Sequence, residues 1–562
     1  MKVIVVGGVA GGASAAARIR RLDEAADVVV YERSGYISYA NCGLPYYIGG
    51  VITDQAELTL QTPESFWQRF RVDMRVRHEV IAIHPERKAV SVRNLSTGET
   101  FEESYDKLLL SPGAKPTQPE LPGVGQVFTL RTVEDTLRIH EFVKTHHPRS
   151  VVLAGGGFIS LEMAENLREL GMEVTMVQRP KQLMNPFDPE MASFIHAKMR
   201  KKGVRLLLGH TVEGFEEAPG GVRVLLKGAE PLEAELVVLA IGVTPDTQLA
   251  KEAGLELGVK GSIAVNDRME TSVPDIYAVG DAVQVQHFVT GEHTLISLAG
   301  PANKQGRIAA DNICGGNSRY QGSQGSSVVK VFDMTAAATG INEQAARKAG
   351  IECDKVYLSP ASHAGYYPGG RLLNMKVLFE KNTYRLLGAQ IVGSEGVDKR
   401  IDVLATAIRA GLTALDLKDL DLAYAPPYSS AKDPVNMAGF MIENLANGTV
   451  WQFHWDEVDA LPRDGSVTLL DTRTAEEYQS GHIEGTIHIP VDELRERMNE
   501  LETGKLVYVI CQSGLRSYIA CRILEQNGFA CRNLAGGYRL YESVILDRCA
   551  VEEAFPCGMD KR

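Results

Sequence analysis

The sequence predicts an α/β chain: two Rossmann-like parallel-sheet domains, then an α+β domain, then a smaller α/β domain. Three observations carry that reading. A strand, a glycine-rich loop, a helix and a second strand follow one another at 2–32, and the same order returns at 150–177. Between 321 and about 445 the strand-like runs lose that arrangement. At Leu445-Ala446-Asn447-Gly448-Thr449 a helical pattern stops, and a new set of short strands begins at Val450. Strands alternating with helices ask for a parallel sheet covered on both faces.

The 562 residues exceed what one core holds, so three or four domains are expected. A net charge of −12 excludes nonspecific nucleic-acid binding, which needs a positive surface. Apolar runs stay short of the roughly 18–20 residues that span a bilayer, so no membrane association is expected. Residues 1–22 are small and apolar enough to suggest a signal peptide, but their glycines and Arg18-Ile19-Arg20-Arg21 fit strand, loop and helix better. Eight cysteines without framework or metal-ligand spacing predict a reduced, cytoplasmic protein and no metal site.

In the first unit, Lys2 to Val6 reads as a buried strand and Ala13 to Leu22 as a helix. Between them lies Gly7-Gly8-Val9-Ala10-Gly11-Gly12, and Val28 to Glu32 is the next strand. Glycines allow close approach to a pyrophosphate, the helix N-terminus adds N–H donors, and Glu32 can bind both hydroxyls of a ribose. In the second unit the loop is Gly155-Gly156-Gly157-Phe158-Ile159-Ser160 and the strand ends at Gln178-Arg179. Gln178 suits a ribose hydroxyl and Arg179 a 2′-phosphate, so NADH and NADPH both stay open. Two dinucleotide sites in one chain imply a flavin exchanging hydride with a nicotinamide. Further support comes from Ser111-Pro112-Gly113 and Gly242 at strand ends, and from Asp281 at a tight turn. Asp281 could alternatively cap the next helix.

Residues 1 to about 445 resemble the two-dinucleotide-binding-domain flavoprotein disulfide reductases. The resemblance implies an FAD domain at 1–115 and 243–320, an NAD(P)H domain at 116–242 and a dimerisation domain at 321–445, hence a homodimer. It places FAD against Gly7, Gly12, Glu32, Arg33, Ser111, Gly113 and Asp281, and the nicotinamide cofactor against Gly155, Gly157, Glu162, Gln178 and Gly242. Ser38-Tyr39-Ala40-Asn41-Cys42-Gly43-Leu44-Pro45-Tyr46 holds one cysteine with no local partner, since the next is Cys314. That context resembles the single-cysteine branch, the coenzyme A-disulfide reductases and the NADH oxidases or peroxidases. By the same resemblance Arg18, Arg21, Ser38 and Asn41 would line a coenzyme A site, although the two arginines also fit a solvated helix face. Ala364-Gly365-Tyr366-Tyr367-Pro368 and Tyr424-Ala425-Pro426-Pro427-Tyr428 imply that Tyr367 and Tyr424 donate to the Cys42 sulfur of a partner subunit. Tyr366 and Tyr428 read better as aromatic packing.

From Val450 onward the chain resembles a rhodanese domain (450–562), through Leu470-Asp471-Thr472-Arg473, Gly481-His482-Ile483-Glu484-Gly485 and Cys511-Gln512-Ser513-Gly514-Leu515-Arg516-Ser517. Such a loop can turn N–H groups toward the Cys511 sulfur, and Arg516 with the helix N-terminus favours a thiolate. Related phosphatases carry their arginine six residues after the cysteine; here it is five, which suits a persulfide rather than a phosphate. His482 and His488 read as structural, while Cys521 and Cys531 have no motif. Together the resemblances imply a reductase of persulfides, polysulfides, or coenzyme A persulfide and disulfide, acting through Cys42, with sulfane sulfur handled by Cys511 and Arg516. One alternative is an oxidase or peroxidase cycling Cys42 through sulfenic acid. Another is a reductase with a non-catalytic, sulfur-sensing tail.

Overall fold

The structure, a computed structural model, describes residues 1–551. The expected last segment, 552–562, lies outside the described residues. Two compact units emerge, Met1–Pro180 with Gly203–Gly325, and Lys181–Lys202 with Ser326 onward.

The first unit contains both Rossmann-like sheets. In the first sheet, β1 (Lys2–Val6) leads through a loop into α1 (Ala10–Leu22) and β2 (Asp27–Glu32). The five strands run parallel in the order Ile276–Ala278, Lys107–Leu110, β1, β2, Asp73–Val76. Val3, Ile4 and Val5 are fully buried because helices and loops cover both faces, which is why the strand reads as an unbroken apolar run. On one face α1 packs closely on the helix Ala299–Ile313: a Cβ at Gly306 would come within 2.4 Å of the Gly11 carbonyl oxygen. The second sheet contains β3 (Ser150–Ala154), followed by α2 (Phe158–Glu169) and β4 (Glu173–Gln178). Its parallel order is Arg205–Leu208, β4, β3, Leu236–Leu239, Phe128–Thr129. Each loop therefore opens at the C-terminal edge of a central strand, next to a helix N-terminus. Antiparallel three-stranded sheets at 78–104 and 212–234 also belong to the unit.

The second unit pairs an antiparallel sheet with a parallel one. The antiparallel order is Ser327–Val331, Met334–Gly340, Leu386–Gly393, Leu373–Glu380, Cys353–Leu358. The helix α3 (Pro189–Lys201) belongs to this unit although its sequence follows β4. The parallel sheet contains β5 (Val507–Ile510), which feeds α4 (Leu515–Gln526), then β6 (Cys531–Leu534) and the final helix α5 (Gly537–Val551). Its order is Gln452–Phe453, β6, β5, Thr468–Asp471, Ile487–His488. Among the described residues no helix is long and apolar enough to cross a membrane.

Candidate active sites

The loop after β1 forms a cradle that only glycine tolerates. Gly7 has φ +96°, and a Cβ there would lie 2.1 Å from the Ser111 carbonyl oxygen. A Cβ on Gly12 would meet the Gly7 carbonyl oxygen at 1.9 Å. At the end of β2 the Glu32 carboxylate is buried and accepts from the Gly8 and Ser34 N–H groups, each at 2.8 Å. Burial pushes its pKa up and these two hydrogen bonds oppose the rise. Arg33 pairs with Asp246 at 2.9 Å. Asp281 sits on the turn 280–282 and receives Arg131 at 2.7 Å; it does not begin a long helix, so the capping alternative is not what the fold uses. Gly113 and Gly242 both take positive φ at the ends of their strands. The donor set, the tight glycine cradle and the carboxylate at a strand end fit the adenosine and pyrophosphate half of a dinucleotide.

Cys42 lies in the turn Asn41–Gly43, directly before the short helix Leu44–Ile48, and is exposed. The protein packed behind it raises the thiol pKa; Glu162 and Asp281 raise it further, and Arg131 opposes them. Glu162 and Asp281, from distant parts of the sequence, thus both bear on the Cys42 thiol. Glu162, on the second turn of α2, is pushed up to about 7 by burial and by Glu165, against a hydrogen bond from Tyr46. Tyr46 in turn is pushed up to about 12.

The second loop repeats the first with a looser fit. Gly155 has φ +126° and a Cβ there would meet the Ala240 carbonyl oxygen at 2.2 Å, whereas Gly157, which precedes α2, faces open space. Gln178 is half-buried at the end of β4.

Beside α1 a cleft of about 380 Å³ is lined by Arg18, Arg21 and Ser38 together with Arg69, Asn303 and Arg307. The sequence pointed to the first three; Arg69 and Arg307 were missed because they come from other helices and carry no motif. Asn41 is not among the residues that line this cleft. The reason is local: Ser38 turns out with φ +43°, while Asn41 begins the turn that holds Cys42. Arg18 is also tied to Asp311 at 2.7 Å, so the solvated-face alternative does not describe it.

In the second unit, Tyr367 and Tyr424 are exposed, and the Tyr424 hydroxyl lies 2.6 Å from that of Tyr366. Tyr366 and Tyr428 are 75% and 72% exposed, so the packing expected of them is not found within this chain.

Cys511 directly follows β5 and is wholly buried. Its Sγ accepts from the Gly514 N–H and the Ser517 hydroxyl, both at 3.1 Å, and Gly514 takes φ +96° to turn its N–H inward. Ser517 also reaches Asn533 Oδ1 at 2.5 Å. Arg516, half-buried, is held by Glu477 at 2.7 Å. A residue the motif did not single out stands beside the loop. Arg473 is buried, paired with Asp471 at 2.8 Å, stacked 4.0 Å over the Tyr538 ring and donating to Gln512 Oε1. His482 and His488 both stack on Tyr478, as a structural role requires.

Comparison with known proteins assigns the family. The pyridine nucleotide-disulphide oxidoreductase model matches residues 1–306 and its dimerisation-domain model residues 326–434. The chain belongs to that family. A rhodanese-like domain matches residues 454–543. The coenzyme A disulfide reductase of Staphylococcus aureus (strain JH9) is 37% identical over 440 residues, 78% of this chain and 99% of that protein. The crystal structure of reduced CoADR-RHD from Bacillus anthracis superposes with a TM-score of 0.95 at 49% identity, covering 97% of this chain and 98% of that one. A NAD-dependent persulfide reductase from A. fulgidus gives 0.91 at 37% identity, covering 96% and 100%. The protein is a flavin-dependent oxidoreductase that uses a nicotinamide cofactor to reduce sulfur–sulfur bonds, joined to a rhodanese domain.

Proposed function

We propose that this enzyme reduces persulfides, polysulfides and coenzyme A persulfide or disulfide through Cys42, with Cys511 handling sulfane sulfur. The domain limits follow the sequence reading: FAD at 1–115 and 243–320, NAD(P)H at 116–242, dimerisation at 321–445 and rhodanese from 450. Gly7, Gly12, Glu32, Arg33, Ser111, Gly113 and Asp281 would hold FAD. Gly155, Gly157, Glu162, Gln178 and Gly242 would hold the nicotinamide cofactor. When bound, these two groups supply the pair of electrons. Cys42 thiolate attacks the outer sulfur of R–S–SH, and the bond to R–S breaks as thiolate leaves. The Cys42 persulfide then returns to thiolate with release of hydrosulfide. Tyr367 and Tyr424 from a second copy would supply hydroxyl donors to that sulfur, which their exposure supports. The arginine-lined cleft suits the phosphates of coenzyme A, with Ser38 at its rim and Asn41 beside the thiol.

One observation carries the reading: a single reactive-loop cysteine and an enclosed rhodanese cysteine occur in the same chain. A peroxidase would use the first and leave the second unexplained. The buried Cys511, held by two donors, is a built sulfur site rather than a surface for sensing. The test is anaerobic NADH oxidation with inorganic polysulfide, coenzyme A persulfide, coenzyme A disulfide or hydrogen peroxide offered separately. Turnover on the sulfur substrates, lost in Cys42→Ser, is expected. Turnover on peroxide alone would replace this reading by the peroxidase.

A further inference from the structure

Two cysteines without a motif lie together under the rhodanese site. Cys521 on α4 and Cys531 at the start of β6 are both buried, in one apolar cluster. Cys531 Sγ also reaches the Cys521 carbonyl oxygen at 3.5 Å and Glu525 Oε1 at 3.9 Å. Glu525 is half-buried and Ala530, next to Cys531, is exposed, so the pair lies one side chain below the surface. A carboxylate beside a thiol can take its proton.

The same two elements hold Cys511. Ser517 is one helical turn before Cys521 on α4, and Asn533 is two residues after Cys531 on β6. The Ser517 hydroxyl stands between Cys511 Sγ at 3.1 Å and Asn533 Oδ1 at 2.5 Å. It has a single proton to share between them, so a small change in the distance between α4 and β6 decides which acceptor it serves. A disulfide fixes such a distance, holding its two Cα atoms about 4.4–6.8 Å apart.

We propose that Cys521 and Cys531 are a dithiol that excess sulfane sulfur closes into a disulfide, and that closure slows sulfur transfer at Cys511. The inference rests on the reading of this domain as a handler of sulfane sulfur. In the first step Cys531 gives its proton to Glu525, and its thiolate attacks a terminal sulfur of polysulfide. That terminal S–S bond breaks, leaving a Cys531 persulfide and a polysulfide shorter by one atom. In the second step Cys521 attacks the Cys531 sulfur, the cysteines join, and hydrosulfide departs with the Cys521 proton. One sulfane sulfur is reduced to sulfide and two thiols are oxidised, so no other oxidant is needed. A dithiol reductant reverses the closure.

The experiment treats the holoenzyme with sodium tetrasulfide, without NADH and without oxygen. Denaturing alkylation with iodoacetamide, digestion and mass spectrometry follow. A disulfide-linked peptide pair containing Cys521 and Cys531 is expected. Sulfur transfer to cyanide should fall about tenfold, the size of losing one hydrogen bond to a charged sulfur, and recover with dithiothreitol. Cys531→Ser and, independently, Cys521→Ser should keep full transfer after the same treatment. Finding both cysteines alkylated in treated wild type would overturn the proposal, and so would linkage with undiminished transfer. Persulfide on Cys511 is read in the same digest. Its absence would count against the proposed function, while the Cys521–Cys531 peptide decides this inference separately.

Discussion

Glu162 titrates near neutrality because burial and Glu165 push its carboxyl up to about 7, and its charge acts on Cys42. As pH rises through that value Glu162 becomes negative, and the Cys42 thiol, already raised, becomes harder to ionise. Glu162→Gln removes that charge. Its Cys42 should alkylate with iodoacetamide about threefold faster at pH 8 than wild type, a change of about half a pH unit in the thiol. An unchanged pH–rate profile would contradict the electrostatic link. At the second sulfur, Ser517→Ala removes one of the two donors to Cys511 Sγ, and sulfur transfer to cyanide should fall by about tenfold or more. Both cysteines were legible in the sequence because each sits in a loop whose neighbours are fixed together. Arg473 was not, because Asp-Thr-Arg after a strand gives no sign that the guanidinium stacks on a tyrosine 65 positions later. Asn41 was grouped with Arg18, Arg21 and Ser38 by resemblance alone, and it stands at the Cys42 turn rather than among the residues lining the cleft.

At the scale of elements, the first loop and α1 depend on glycines that no side chain can replace. Gly12→Ala puts a methyl group 1.9 Å from the Gly7 carbonyl oxygen, so the loop must shift. A loss of roughly 2–4 kcal/mol in stability is expected, with weaker flavin retention read from visible absorbance. The sequence reading began α1 at Ala13, whereas the helix starts at Ala10 and takes in Gly11 and Gly12. Their low helix propensity hid the first turn, which tight packing on Ala299–Ile313 supplies. The rhodanese domain carries a pH-sensitive element. His454 is held to about 3, chiefly by burial and then by Lys355, so it stays neutral when folded. Unfolded, it would titrate near 6.5 and bind a proton that the folded form refuses. Its contribution is therefore complete above about 6.5 and is lost as pH falls toward 3, by roughly 2–4 kcal/mol. His454→Asn should flatten the acid limb of thermal stability in that window, and an unaltered limb would contradict it.

Over the whole molecule, sequence order and spatial order part company at α3. Its segment, 181–202, lies within the second dinucleotide unit in sequence but packs with the second compact unit. Asp188 and Glu190 at its start meet Lys376 at 2.6 and 2.5 Å, with Glu343 also at 2.5 Å. At the other end, His196 and Arg200 hold Asp547 of α5. These charges are spread over more than 350 positions and have no spacing signal, which is why they were not legible, while the repeated glycine loops made the domain plan plain. Lys376 is buried and the three carboxylates raise its pKa, so Lys376→Met leaves like charges facing one another. A loss of roughly 3–5 kcal/mol is expected, read as a lowered melting temperature of the second unit. The central claim is that sulfane sulfur is reduced at Cys42. The most direct measurement is the ratio of sulfide released to NADH consumed, anaerobically, with coenzyme A persulfide as acceptor. Wild type should release one sulfide per NADH and Cys42→Ser none. NADH consumption without sulfide, or sulfide release undiminished in the variant, would contradict the account.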